Sequence, residues 1–436
     1  MVSSAVSALC LVTFASATPI QFGQNQCNLV VDTQTKTEPN FSKPGYLQPY
    51  TDPVFGTKVT RITGDPGTAI PIVGGAWSFV SRPGYENRPV WNADQTILLI
   101  ERTGVGNLFL DGNTYKPLYA KTAGPFYSAD ARWHPTIPSK MLYAGNNKQG
   151  TACEFGLWDV NTNAITVQKT LSGYTGCTLG GTGNWSKDAS RVAVDATRAS
   201  DGKNVVFAVD LTTGNKYPDI DVVAKGFVDS TSVDWVSISP LGDLIYVNGG
   251  LSSGTNQNDN TMVFDLAGNV VQTWLQYGSP SHGDLSVDAS GNEIIVGVDK
   301  SSTYLGKVIM RNLRTGLRTP LDSGGFVTIV STRNNLLANW AFVNDTGFAS
   351  PNNWPPYNDD IFAVALDGSR TVPRLAHAHN ANVNYDAQGF VVPSPDGLRF
   401  VFASDWNNSS GVPVQTYVVD MRPLCSTKAP LQAPRS

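Results

Sequence analysis

The sequence repeats itself at a period of about 50 residues. One phrase joins an apolar strand, an Asp or its stand-in, a short turn and the start of another strand. It occurs as Leu108-Phe-Leu-Asp111-Gly-Asn, Phe207-Ala-Val-Asp210-Leu-Thr-Thr-Gly and Tyr417-Val-Val-Asp420-Met, among others. Its anchors fall at Asp111, Asp159, Asp210, Asp265, Asn312, Ala365 and Asp420, between 47 and 55 residues apart. A second phrase, a turn followed by an alternating apolar strand, interleaves with it. Examples are Trp91-Asn-Ala-Asp94, Trp185-Ser-Lys-Asp188 and Ser394-Pro-Asp-Gly397 with the residues that follow each. Apolar residues at every second position mark half-buried antiparallel strands. Each repeat therefore holds about four strands. A sandwich domain needs roughly 100 residues, twice the period, whereas repeated four-stranded sheets set radially make a β-propeller. The expected fold is all-β: a seven-bladed β-propeller with four-stranded antiparallel blades, its ring closed by N- and C-terminal strands.

The first 17 residues read differently. An apolar run from Ala5 to Phe14 precedes Ala15-Ser16-Ala17, the pattern of a secretory leader and its cleavage site. The expected division is a leader over 1–17, one propeller domain over 18–425 and a flexible tail over 426–436. The leader's run is too short to span a bilayer, and no later stretch is apolar enough, so no membrane contact is expected. Secretion leaves Cys27, Cys153, Cys177 and Cys425, which allow three disulfide pairings. A propeller joins its chain ends in one blade, so a Cys27–Cys425 bridge would lock that closure, leaving Cys153–Cys177 within one blade. Sequons at Asn40, Asn184, Asn344, Asn407 and Asn408 fit a secreted glycoprotein. With 31 Lys+Arg against 35 Asp+Glu and no basic cluster, the chain lacks the electrostatic footprint of a nucleic-acid binder. A monomer is expected.

The innermost strand of each blade lines a central channel. Those strands are expected at Tyr85–Val90, Ser128–Arg132, Gly180–Asn184, Ser232–Val236, His282–Ser286, Gly325–Thr328 and Asp386–Phe390. Their polar members include Tyr85, Glu86, Arg88, Asp130, Arg132, Asp234, His282 and Asp284. Charges in a channel need partners or a ligand, so a polar ligand site is expected at one mouth. Among only four histidines, His377-Ala-His379 puts two imidazoles on one side of an extended strand. With His282 they could hold a divalent metal of the calcium or manganese class. No nucleophile elbow, zinc-protease helix or phosphate-binding loop is present.

Several short motifs carry a resemblance. They are Asp52-Pro-Val-Phe-Gly-Thr-Lys-Val-Thr-Arg-Ile-Thr63, Ala131-Arg-Trp-His-Pro135, Ser281-His-Gly-Asp284, His377-Ala-His379 and Ser394-Pro-Asp-Gly397 with Phe402-Ala-Ser-Asp-Trp406. Together they resemble secreted and periplasmic seven-bladed propellers related to oligogalacturonate lyases and rhamnose–glucuronate lyases. The resemblance implies β-elimination at a uronic acid, in a polysaccharide or oligosaccharide whose carboxylate is masked by Arg or a cation. On it, Arg88 and Arg132 are the carboxylate-binding candidates, Tyr85 and His282 the acid and base. His282, His377 and His379 match the metal-binding His positions in type. The alternative is a propeller that binds glycan or protein at the same mouth without catalysis.

Overall fold

The computed structural model describes residues 17–427 apart from 24, 122–129, 230, 232, 253–259, 276–278, 323–326 and 346–355. These residues form seven antiparallel sheets, numbered here in chain order. Six of them contain at least four strands. The first has three, Ile97–Ile100, Asn107–Asp111 and Pro117–Lys121. At its inner edge two isolated bridges, Trp91 to Leu98 and Arg82 to Arg102, stand where a fourth strand was expected. Seven four-stranded blades are thus corrected to six, because Pro83 and Pro89 break up the segment before Trp91, and proline cannot donate to a ladder.

The strands form where the sequence is β-branched and apolar. Asn204–Asp210, the third strand of sheet 3, is buried at every position. Such a strand is covered on both faces, and its neighbours show what covers it. Seven buried apolar clusters occur among the described residues, each spanning two successive sheets. In one, Leu99 and Phe109 of sheet 1 meet Trp133, Tyr143 and Trp158 of sheet 2. In another, Leu98, Ile100 and Leu108 of sheet 1 meet Val392, Val401 and Val418 of sheet 7. Most of the tryptophans are committed to this packing, and Trp77, Trp91 and Trp133 are at most 4% exposed.

The two ends of the chain meet twice. In sheet 7, Lys58–Arg61 pairs antiparallel with Gln415–Asp420. Separately, the hairpin of Ala17–Phe22 and Asn25–Val30 extends the outer edge of sheet 6 and pairs with Cys425–Thr427. Cys27 is bonded to Cys425, and Cys153 to Cys177. The first bridge therefore pins the hairpin rather than the strand pair of sheet 7. Cys153 lies in sheet 2 and Cys177 in sheet 3, so the second bridge joins two blades instead of lying within one. The C-terminal strand runs two residues beyond the expected domain end. The expected leader, apart from Ala17, and most of the expected tail lie outside the described residues, as do Ser128, Ala129, Ser232, Gly325 and Phe326.

Four of the expected inner strands are present, as Asp130–Trp133, Val233–Ile238, Ser281–Val287 and Val327–Ser331. Three are not strands. Tyr85–Val90 and Gly180–Asn184 are turns, and Asp386–Phe390 begins in a short 3-10 helix, Tyr385–Ala387. Glycine is needed in the second of these because the turn lies against sheet 4. A Cβ on Gly183 would come 1.9 Å from the Val236 carbonyl oxygen. Of the sequons, Asn184 and Asn344 are buried, whereas Asn40 and Asn407 are exposed.

The disulfides differ in loop length, 398 residues against 24. Chain-entropy arguments give roughly 6 and 3 kcal/mol for such loops. Replacing Cys27 and Cys425 by Ser is expected to lower the denaturant midpoint more than replacing Cys153 and Cys177. Equal losses would show that the hairpin adds little constraint to the unfolded chain.

Candidate functional site

A cavity of about 880 Å³ opens at the inner ends of the sheets. Its wall is built from the turn before sheet 1, the glycine turn between the first two strands of sheet 3, and the inner strands of sheets 4 and 5. Tyr85, Arg88 and His282 all line it. Its other polar and aromatic members include Arg82, Glu86, Glu101 and Trp235.

His282 reaches the wall through an irregularity. The pairing of Ser281–Val287 with Glu293–Val298 shifts register between Ser281 and Asp284, and His282 takes φ 47°. A bulge of this kind re-aims a side chain, and a left-handed non-glycine residue is a strained one. Gly283 completes it, since a Cβ there would lie 2.3 Å from the Val296 carbonyl oxygen.

Tyr85 packs edge-on against Phe390, centroids 5.7 Å apart, and its hydroxyl bonds that of Tyr385. Burial and the Tyr385 contact push its pKa well above the usual phenol value, so it stays protonated at neutral pH. Arg88 donates to Glu101 at 2.9 Å and to the Gly181 carbonyl at 2.8 Å, with Asp130 at 3.5 Å. Burial works against its charge, but Glu101 and Asp130 outweigh it and raise the pKa.

Arg132 is elsewhere. It is 2% exposed and donates to the carbonyls of Gly181 and Gly183 at 2.8 and 2.9 Å. It lies against a void of about 40 Å³ together with Arg333, and is not among the residues of the large cavity. Burial, then the Arg88 charge, pulls its pKa down to about 9, which still leaves a cation at neutral pH. Its geometry is that of a clamp on the glycine turn, which Arg88 also holds from the cavity side.

His377 and His379 are also elsewhere. Sheet 6 runs inward to outward from Val327–Ser331 to Arg374–His377. Strands stand about 4.8 Å apart, so the His377 strand lies roughly 14 Å from the innermost one. His377 is fully buried, with Nδ1 3.2 Å from Asp52 and Phe55 beside its ring. Although burial lowers its pKa, Asp52 and Asp360 raise it further, above the usual imidazole value. His379 Nδ1 is 2.5 Å from Glu38, and its ring stacks on Trp406 at 4.1 Å. The spacing of two residues was read as a shared side of an extended strand, but the strand ends at His377 and His379 takes φ 53°; strand order separates both from His282. Among the described residues no group of three His, Cys, Asp or Glu is placed to hold a metal ion. The expected ligand set His282, His377 and His379 therefore does not fit a metal.

Arg82 and Glu101 were missed by sequence reasoning, and Glu86 was noted only as a polar channel residue. The only local signal at Arg82 is the turn Ser81-Arg-Pro-Gly84. Nothing in that turn shows that the side chain is 0% exposed, held to Asp386 at 2.8 Å and laid over the Phe390 ring at 3.7 Å.

The fold and the central cavity define a β-propeller. Compared with solved structures, the chain is similar to an oligogalacturonate lyase in complex with manganese. The TM-score is 0.57 at 15% identity, covering 87% of this chain and 96% of that one. It is also similar to an oligogalacturonate lyase from Vibrio parahaemolyticus, with TM-score 0.54, 13% identity and coverage of 86% and 96%. At these identities the likeness is one of fold. No family model matches the sequence, and no curated protein does.

Beside the His282 bulge, Asp284 is held by an ion pair. It is 2% exposed, and Arg333 holds both of its oxygens at 2.7 and 2.8 Å. Arg333→Ala is expected to destabilise the protein by about 3–5 kcal/mol, because a buried carboxylate is left unpaired. Adding Asp284→Ala should recover part of that loss; urea unfolding of the single and double variants measures both.

Proposed function

We propose that the protein is a secreted polysaccharide lyase-like enzyme that cleaves a uronic-acid-containing glycan by β-elimination in the cavity of its β-propeller. The observation that carries this reading is the meeting of Tyr85, Arg88 and His282 in one polar cavity. These residues come from distant segments, and their types are those the reaction needs. The fold shared with two oligogalacturonate lyases supports it. Secretion is supported by the two cysteine bridges; among the described residues no helix is long and apolar enough to cross a membrane.

The chemistry assigns the roles. The C5 proton of a uronate is acidic only when the carboxylate charge is masked, and the cationic wall of the cavity does this. His282 takes the C5 proton, since an imidazole is a competent base near neutral pH. A double bond forms between C4 and C5 as the C4–O4 bond breaks. Tyr85, held protonated by burial, donates its proton to the departing O4. Solvent then returns a proton to Tyr85, and His282 loses the one it gained. Arg132 supports the turn beneath this site instead of touching substrate. No step passes through a metal.

The test is ultraviolet absorbance of the unsaturated uronate, on incubation with oligogalacturonate, rhamnose-capped arabinogalactan, glucuronan and ulvan. His282→Ala and Tyr85→Phe are each expected to lower kcat by 10²–10⁴-fold, the usual range for a lost acid or base. Binding without absorbance on every glycan would instead identify a non-catalytic glycan-binding propeller, with the Trp235 ring as its stacking face.

A further inference from the structure

We propose that Arg82 and Glu86 together form the subsite that reads the sugar carboxylate, through one donor hydrogen from each side chain. This rests on the cavity being the glycan site.

Both residues line the cavity, and both are almost wholly buried, at 0% and 1% exposure. Each has one polar side-chain atom left without a hydrogen-bond partner, Arg82 Nη2 and Glu86 Oε2. Such atoms are rare in folded proteins and costly to keep, unless a ligand or water completes them. The rest of the Arg82 guanidinium is fixed. Nε donates to Asp386 at 2.8 Å, Nη1 donates to the Pro83 and Gly84 carbonyls at 3.0 and 3.3 Å, and the plane lies on Phe390. Only Nη2 is uncommitted, on a group that cannot turn away.

The charge balance favours an anion. Arg82 shares the Asp386 carboxylate with Arg102, 3.8 Å away and 60% exposed, so two cations face one anion. Arg88 is less suited to the task, because Glu101, Asp130 and the Gly181 carbonyl already occupy it.

Glu86 would repel a carboxylate if it were ionised. Burial, reinforced by the Asp284 charge and opposed by Arg82, pushes its pKa up to about 8. Asp284 is itself bound by Arg333, and the cavity wall also carries the Arg88–Glu101 pair, Arg102, Asp234, Lys300, Tyr85 and His282. At pH 7 the side chain is therefore a neutral acid that can donate a hydrogen bond. The sign follows: the site is competent below pH 8 and fails as Glu86 ionises above it.

The experiment is calorimetric binding of trigalacturonate and triglucuronate, each as free acid and as methyl ester, to the full chain between pH 6 and 9.5. The acids should bind at least tenfold more tightly than the esters at pH 7. Their affinity should fall towards roughly tenfold per pH unit above pH 8, the limit for a single deprotonation. Glu86→Gln keeps a donor hydrogen and should hold acid binding at pH 7 near that of the parent protein while removing the alkaline fall, since an amide does not ionise. Arg82→Lys keeps the charge facing Asp386 but loses the Nη2 donor, and should cut acid affinity at least tenfold while leaving the esters unchanged. If Arg82→Lys does not fold, the Glu86→Gln profile decides alone. Equal binding of acids and esters, or an alkaline fall that survives in Glu86→Gln, overturns the proposal. Discrimination of acid from ester without unsaturated product would keep this subsite and remove the lyase reading. Product formation without discrimination would do the reverse.

Discussion

The structure depends on apolar packing between the faces of successive sheets. Each sheet has two apolar faces, so no blade can satisfy itself, and burying a Val or Leu side chain contributes about 1.5–3 kcal/mol. The clusters run from each sheet to the next, and Leu98, Ile100 and Leu108 of the first sheet find Val392, Val401 and Val418 of the last. That packing leaves the inner edges of the sheets facing one another across a space too polar to collapse.

What fills that space is charge held by backbone and counter-charge. Arg132 and Arg88 grip the Gly181 carbonyl from below and from the cavity side. Arg333 neutralises Asp284, and Arg82 is fixed between Asp386 and the Phe390 ring. Buried pairs of this kind add little net stability but hold their members in one geometry. The consequence for function is a preorganised wall, in which the positions of Tyr85, Arg82 and Glu86 are set before any ligand arrives.

Parts of the site were legible in the sequence because the turn phrases mark where each inner edge begins. Tyr85, Arg88 and His282 all precede such a phrase, and all three line the cavity. Arg132 precedes one too, but along a strand neighbouring residues alternate sides, and its side chain went under the glycine turn. His377 and His379 failed for a different reason. Their spacing says nothing of which strand of a blade carries them: His377 ends the outward strand of sheet 6, and His379 follows it in left-handed backbone. Glu86 could be seen as polar but not as neutral. Its protonation comes from burial and from Asp284, which is brought near it only by the fold.

The sequence by itself determined the repeat, the alternation that makes strands, and the four cysteines outside the expected leader, because each is written in residues close together along the chain. The tertiary structure alone decided that the first sheet keeps three strands and that the first bridge holds a hairpin outside sheet 6. It also decided that one histidine of three reaches the cavity, and that one carboxyl group there keeps its proton. The physical reason is the same in each case. Strand patterning is a nearest-neighbour property of the chain, whereas separation across the channel and loss of solvent are set by non-local packing, which no local pattern records.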